Sequence, residues 1–444
     1  MFYRFPGFAV VLVCLTLISC SLSTPAWART LVLVGGGWQW PTTGDRDGIA
    51  IYQKVVQLAG GAETAKIGIF TTAQTSVKNA EASGEFYLKN FRDLYPNIDV
   101  KWIPFHLGNC QAKKNNLELT SLMKTRNAFV FSGGDQALII SCFFEENTTT
   151  QTRTESQIFQ TLKQQYEQGS VVVGTSAGTT AQTGIPMITE GESYEALLKS
   201  PLPFLGSPPR TRIPYYNPLG GFNFFSYGIL DTHFSQRGRQ GRLIRLAADL
   251  SVPLAFGIDQ NTALIVIDST ESQASLEVIG EHGVSVLNLR AATVSTTERY
   301  WSISEVLMSY LTAGDQYNLQ TQTVIFASDK RPITCQKQYL ISEVSDIFST
   351  FESDDLGTEN SGQFITLATD LFRSCETIVT GSTSTTNPIV FEVELQKNYR
   401  INPLGYQSVN QTGKQNYSFT NLEVSIIPRS EPWLLQMYQD YFAR

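Results

Sequence analysis

The sequence predicts an α/β fold: a doubly wound, mostly parallel sheet flanked by helices, with a β-rich or irregular C-terminal extension. Three observations predict it. Short apolar runs alternate with helical patterns from Thr30 to Thr180. Glycine-rich turns follow several of those runs, as expected where strand ends gather at one sheet edge. The stretch Val171-Val-Val-Gly-Thr-Ser-Ala-Gly-Thr-Thr180 carries three β-branched residues into Gly-x-Ser-x-Gly, with a helix expected after it. That is the order of a nucleophile elbow: buried strand, sharp turn, serine, helix. The motif is short enough to arise by chance, so its flanks carry the weight. At such an elbow Gly174 and Gly178 leave room for neighbouring segments, and Ser176 stands exposed.

The elements follow in order. Thr30–Val34 is an apolar strand ending in Gly35-Gly36-Gly37. Arg46–Leu58 reads as a helix closed by Gly60-Gly61. Lys66–Phe70 is a strand, Glu85–Leu94 a helix stopped by Pro96, and Asp99–Pro104 a third strand. Ala128–Phe131 is a fourth, running into Ser132-Gly-Gly-Asp-Gln136. Glu155–Gln168 is amphipathic, with Ile158, Phe159, Leu162 and Tyr166 at helical spacing. Residues 190–228 are rich in proline and aromatics and read as an insertion, either a wall or lid or a plain surface excursion. Ile229–Leu243 reads as strand, loop and helix start, with His233 on the loop. Leu254–Ile258 and Ala263–Ile267 bracket Asp259-Gln260-Asn261. Leu276–Ile279 and Val284–Leu287 look like a hairpin joined through Gly280-Glu-His-Gly283. After about residue 328 Ser, Thr, Asn and Gln increase, and two β-like runs remain, Ile389–Leu395 and Leu422–Ile427. The expected organisation is therefore 1–28, a signal; 29–328, the main domain; and 329–444, the extension.

The chain has 444 residues, 42% hydrophobic and 16% charged, which suits a large globular protein. A net charge of −7 disfavours a broad nucleic-acid surface. Arg4 followed by the apolar run Phe8–Ile18 reads as a secretory signal, too short for a membrane span. Two processing readings compete. Ala26-Trp27-Ala28 is a small-x-small site, and Leu17-Ile18-Ser19-Cys20 resembles a lipoprotein box that would anchor Cys20 by lipid. Release after Ala28 is preferred, because a strand starts directly afterwards. The expected location is secreted or periplasmic. Cys110, Cys142, Cys335 and Cys375 remain, an even number that permits two disulfides. Nearest neighbours suggest Cys110–Cys142 and Cys335–Cys375. No cysteine or histidine spacing suits zinc, and no cofactor is implied.

A serine nucleophile needs a base within hydrogen-bond reach. The chain holds three histidines, His106, His233 and His282. His106 follows a strand. His282 falls in the expected hairpin turn and should be solvated. His233, among polar residues after the elbow, is the favoured base. A glycine-rich turn beyond a strand offers backbone N–H groups, so Ala177 with Gly134 or Asp135 would form an oxyanion hole. Arg237, Arg239 and Arg242 lie within ten residues of His233 and suit an anionic substrate, since guanidinium binds carboxylate bidentately.

Four pieces together resemble the cyanophycinase family, serine peptidases related to aspartyl dipeptidase. They are Gly133-Gly-Asp-Gln136, Gly174-Thr-Ser-Ala-Gly178, Asp231-Thr-His-Phe234 with its three arginines, and Gly257-Ile-Asp-Gln-Asn-Thr-Ala263. They span about residues 30–325. The resemblance implies a class I glutamine-amidotransferase-like α/β sandwich, usually dimeric, with Ser176 as nucleophile and His233 as base. It also implies substrate contacts at Gln136, Asp231 and Arg239. The implied substrate is cyanophycin, multi-arginyl-poly-aspartate, cut to β-aspartyl-arginine dipeptides. An exopeptidase acting on short aspartyl dipeptides is the alternative within the same chemistry. One position departs: the family carries a glutamate where this chain has Gln260, and that glutamate orients the histidine. An amide oxygen still accepts a hydrogen bond but cannot stabilise an imidazolium by charge. Either Asp259 or Asp231 substitutes, or activity is weakened, or the protein is a silent secreted binder.

Overall fold

A computed structural model describes residues 28–38, 46–268, 274–297, 300–341, 344, 346–349, 362–409, 413 and 415–429. The expected signal, with Cys20, and most of the polar run 353–362 lie outside the described residues.

The core is an α/β assembly of two large sheets. In the first sheet, Asp99–Trp102, Lys66–Phe70, Ala128–Phe131, Val171–Thr175 and Arg29–Val34 run parallel, in that spatial order. Thr262–Asp268, Ala274–Gly280, Gln316–Asn318 and Thr323–Ile325 then continue it antiparallel. The sheet is therefore mixed rather than mostly parallel. Side chains alternate faces, as strand geometry demands. Leu31, Leu33 and Val172 enter one core, and Val32, Val34, Val171 and Val173 enter the other. Both faces are buried, which explains why these strands read as unbroken apolar runs.

Helices Arg46–Leu58 and Val77–Leu94 pack on one face. The second of these starts eight residues before the expected Glu85, because Ser76 accepts from the Asn79 N–H and caps it there. Helix Gln157–Glu167 is capped by Ser156 in the same way, while Thr152–Glu155 forms a strand against Phe144–Asn147. Cys110–Cys142 and Cys335–Cys375 are the disulfides, the pairing that sequence proximity suggests.

A second large sheet adds to the one the sequence predicts. It runs Ile229–Thr232, Leu254–Ile258, Gly283–Asn288, Tyr300–Thr312, Gln415–Arg429, Val390–Gln396, Ile378–Ser382, and only its first pair is parallel. The chain passes between the sheets repeatedly, and two of these crossings are Asp259–Asn261 and Glu281–His282. The expected hairpin is thus absent. Ala274–Gly280 pairs with Thr262–Asp268 in the first sheet, and Gly283–Asn288 pairs with Leu254–Ile258 in the second. Both strands are apolar and flank a short glycine turn, and local sequence does not reveal that they stack rather than pair. His282 is accordingly mostly covered, with its N–H donating to the Thr262 hydroxyl. Residues after 328 supply Gln415–Arg429, which pairs directly with Tyr300–Thr312.

Candidate active site

The strand Val171–Thr175 ends at Ser176, which is forced to φ 53° and ψ −118°. Such a backbone costs a non-glycine residue about 1–3 kcal/mol and persists only where its surroundings over-determine it. They do so here. The Ser176 N–H donates to Val34 O, and the Thr179 hydroxyl donates to the same oxygen at 2.6 Å. The flanking glycines are required by close approach. A Cβ on Gly174 would stand 2.3 Å from Gly178 O, and one on Gly178 would stand 2.2 Å from Phe131 O. From Val171 to Thr180 every residue except Ser176 is buried.

His233 arrives from the second sheet, at the end of Ile229–Thr232. It too has a positive φ, 47°. Its N–H donates to Gly35 O at 2.7 Å. The imidazole fills the space beside Gly36, where a Cβ would lie 2.2 Å from Cε1. The glycine triplet at 35–37 is thus the seat of the histidine ring. Nε2 lies 2.7 Å from Ser176 Oγ, and Nδ1 lies 2.9 Å from the side-chain amide nitrogen of Gln260. Burial, reinforced by Arg237, Arg239 and Arg242, holds His233 well below its ordinary range, so the ring is neutral near pH 7.

The amide partner decides which ring nitrogen carries the proton. With the amide N–H facing it, Nδ1 accepts, the ring proton sits on Nε2, and that N–H points at Ser176. A half-turn of the amide places Oε1 against Nδ1–H and leaves Nε2 free to accept the serine proton. Neither aspartate replaces the absent glutamate. Asp259 is fully buried, and it accepts from Ser235 N–H at 2.8 Å and Tyr310 hydroxyl at 2.6 Å. Asp231 is engaged with arginines instead.

The strand Ala128–Phe131 brings the second glycine turn beside the serine. A Cβ on Gly133 would stand 3.2 Å from Ser176 Cβ. The Gln74 amide donates to Gly133 O and fixes the turn. The Asp135 N–H is spent on Ala73 O at 2.9 Å, which removes it as an oxyanion donor. Gly134 and Ala177 remain. Asp135 instead caps helix Gln136–Phe143, accepting from Ala137 N–H. Gln136 donates to Ile188 O and Thr189 O, so its amide nitrogen is engaged with the backbone.

The arginines divide by depth. Arg242 is buried and grips both Asp231 oxygens, at 2.8 and 2.7 Å, and Gly191 O. Asp231 is 1% exposed and also accepts from Thr232 N–H, so it anchors the arginines and does not reach a substrate. Burial works against its charge, and Arg242 and Arg239 more than offset that, leaving Asp231 below the usual carboxylate range. Arg239 donates to Thr232 O and Asp231, yet its Nε is buried without a partner. Burial and the neighbouring Arg242 push its pKa down to about 9, which marks a cation short of counter-charge. Arg237 begins the turn with its N–H on His233 O.

The insertion contributes more than its composition suggests. The Ser193 hydroxyl donates to Gly238 O and accepts from Arg242 N–H, pinning the arginine loop from one side. Glu190 is half-buried, and burial and Asp135 raise its pKa against the pull of Arg242, Arg210 and Arg239. It carries no motif that sequence reading could have singled out. His106 lies apart, stacked on Trp102 and bonded to Asn109.

No family model matches the chain. The cyanophycinase of Synechococcus elongatus is 29% identical over 274 residues, covering 60% of this chain and 74% of that one. The cyanophycinase of Trichormus variabilis is 23% identical over 318 residues, covering 69% and 91%. Among solved structures, a peptidase from an acI-B1 Actinobacterium covers 66% of this chain and 98% of its own, at 18% identity and a TM-score of 0.44.

Proposed function

We propose that this chain, a relative of the cyanophycinases in sequence, is an exported serine-type peptidase acting on aspartyl peptide bonds, with cyanophycin as its substrate. One observation carries the reading: Ser176 Oγ stands 2.7 Å from His233 Nε2 at a strained elbow. Ser176 attacks the scissile carbonyl carbon while its proton passes to Nε2. The carbonyl oxygen becomes an oxyanion held by the Ala177 and Gly134 N–H groups. The intermediate collapses, His233 gives its proton to the leaving amine, and an acyl-serine remains. Water, deprotonated by the same nitrogen, then frees the carboxylate and restores the serine. Arg239 and the Gln136 oxygen seat polar groups of the substrate. The two disulfides support an oxidising compartment, and with it export.

Gln260 supports a specific qualification of this activity. The Gln260 amide can present either its nitrogen or its oxygen to Nδ1, and only the oxygen leaves Nε2 free to accept the serine proton. Turnover needs that orientation, and no carboxylate stabilises the imidazolium. The protein is a slow member of this chemistry. Soluble dipeptide release from insoluble cyanophycin by wild type and by Ser176→Ala tests the assignment. The expected loss in the variant is about 10³-fold or more. Equal, zero release by two folded proteins would overturn the substrate assignment.

A further inference from the structure

Residues after 328 lie outside the four motif pieces, yet they meet the histidine loop at several points. Asp259 is the first link. Its Oδ1 accepts from the Ser235 N–H at 2.8 Å, two residues beyond His233. Its Oδ2 accepts from the Tyr310 hydroxyl at 2.6 Å. Asp259 also precedes Gln260, whose N–H donates to the Gln236 side chain at 3.1 Å. One buried carboxylate therefore ties together the segments that carry the base and its partner.

Tyr310 is held in turn by the C-terminal segment. It stands opposite Phe419 in the register of Tyr300–Thr312 with Gln415–Arg429. The two rings stack at 5.8 Å, and Phe419 stacks at 4.9 Å on Phe372 of helix Gln363–Arg373. The same segment also lies directly on the loop backbone. A Cβ on Gly362 would stand 2.0 Å from Ser235 O, and one on Gly238 would stand 2.4 Å from Phe348 O. Both glycines have positive φ, +77° and +54°. A side chain at either position would drive the two segments apart.

A buried carboxylate is expensive, and apolar residues of similar volume commonly serve stability better. Its place under the loop calls for another role. We propose that the C-terminal segment is a positioning element for catalysis: through Phe419 it backs Tyr310, which with Asp259 clamps the Ser235–Arg239 loop and so holds His233 in line with Ser176. This inference rests on the serine-peptidase reading above. It assigns Asp259 a role through geometry rather than charge, since its oxygens touch Ser235 and Tyr310 and not the imidazole.

The test removes one oxygen. Tyr310→Phe is expected to lower kcat between tenfold and a hundredfold with KM unchanged, as a sub-ångström loosening of a catalytic base does. Fluorophosphonate labelling of Ser176 should slow by the same factor, in protein that keeps its near-UV circular dichroism. Asp259→Asn can still accept from Ser235 and donate to the Tyr310 oxygen, so it should stay within about threefold of wild type. Asp259→Ala should lose as much as Tyr310→Phe. Wild-type labelling and turnover in Tyr310→Phe would overturn the inference. So would an Asp259→Asn variant as slow as Asp259→Ala, which would make the charge the active quantity. If Tyr310→Phe does not fold, Phe419→Leu withdraws the ring beneath Tyr310 and must show the same loss in kcat. A wild type that labels at Ser176 but ignores cyanophycin sinks the substrate reading and leaves this comparison valid. If wild type does not label at all, the serine reading fails, and a crystal structure of Tyr310→Phe decides the rest: an unmoved 232–239 loop overturns the clamp.

Discussion

In the proposed mechanism Gln260 and His233 set the rate between them. A carboxylate beside Nδ1 has only acceptor oxygens, so it fixes one tautomer. An amide offers a donor and an acceptor, and the ring must wait for the right one. Gln260→Glu should therefore raise kcat by about 10²–10⁴, the reverse of the loss seen when an orienting acid becomes its amide. The same change should move the pH profile. In the wild type, burial and three arginines keep His233 well below its ordinary 6.5, so the base stays neutral and kcat/KM holds as pH falls through 6.5. A negative charge at residue 260 favours the imidazolium and raises that pKa. Because the neutral ring is the working form, the acidic limb of kcat/KM should shift to higher pH in Gln260→Glu. An unshifted limb would mean that another group titrates there. At this scale the order of the motifs brings forward Ser176 and His233, the resemblance brings forward Gln260, and the structure places these three side chains together. The loss of the Asp135 N–H to Ala73 and the retreat of Asp231 behind its arginines are not legible in the sequence. Those depend on which carbonyl or guanidinium comes near in space.

The elements show how local rules yield to tertiary ones. Strands Lys66–Phe70 and Ala128–Phe131 and helix Arg46–Leu58 fall where periodicity and glycine stops place them. The false hairpin arose because two apolar runs around a short turn look alike whether they pair or stack. The elbow itself is steric. Gly174→Ala, with its Cβ 2.3 Å from Gly178 O, should destabilise by about 1–3 kcal/mol in urea unfolding and reduce Ser176 labelling. Just beyond residue 328 a polar pair is buried. Lys330 and Asp315, at 1% and 0% exposure, pair at 2.7 Å; Lys330 donates to the Thr312 and Ser418 hydroxyls, and Asp315 accepts from the Ser418 hydroxyl and the Thr312 N–H. Lys330→Ala leaves that carboxylate uncompensated and should cost about 3–5 kcal/mol, read as a fall in the denaturation midpoint. Removing the Cys335–Cys375 bridge, which spans 40 residues, should cost about 4 kcal/mol by loop-closure entropy.

In the molecule as a whole, the site lies where two sheets converge. The first brings Ser176 and both glycine turns to its edge. The second brings His233 and the arginines, and residues after 328 lengthen that second sheet behind them. The parallel half of the first sheet is legible in the sequence because its strands are short, apolar and separated by helices. The second is not legible locally, because one of its pairings, Tyr300–Thr312 with Gln415–Arg429, joins residues more than 100 apart, as Tyr310 and Phe419 are. All of this chemistry depends on the proposal that Ser176 is a nucleophile activated by His233. Mass spectrometry after fluorophosphonate treatment tests it most directly. A phosphonyl adduct on the Ser176 peptide is predicted, absent in Ser176→Ala and formed at least about a hundredfold more slowly in His233→Ala. A folded wild type that acquires no adduct at Ser176 would contradict the account.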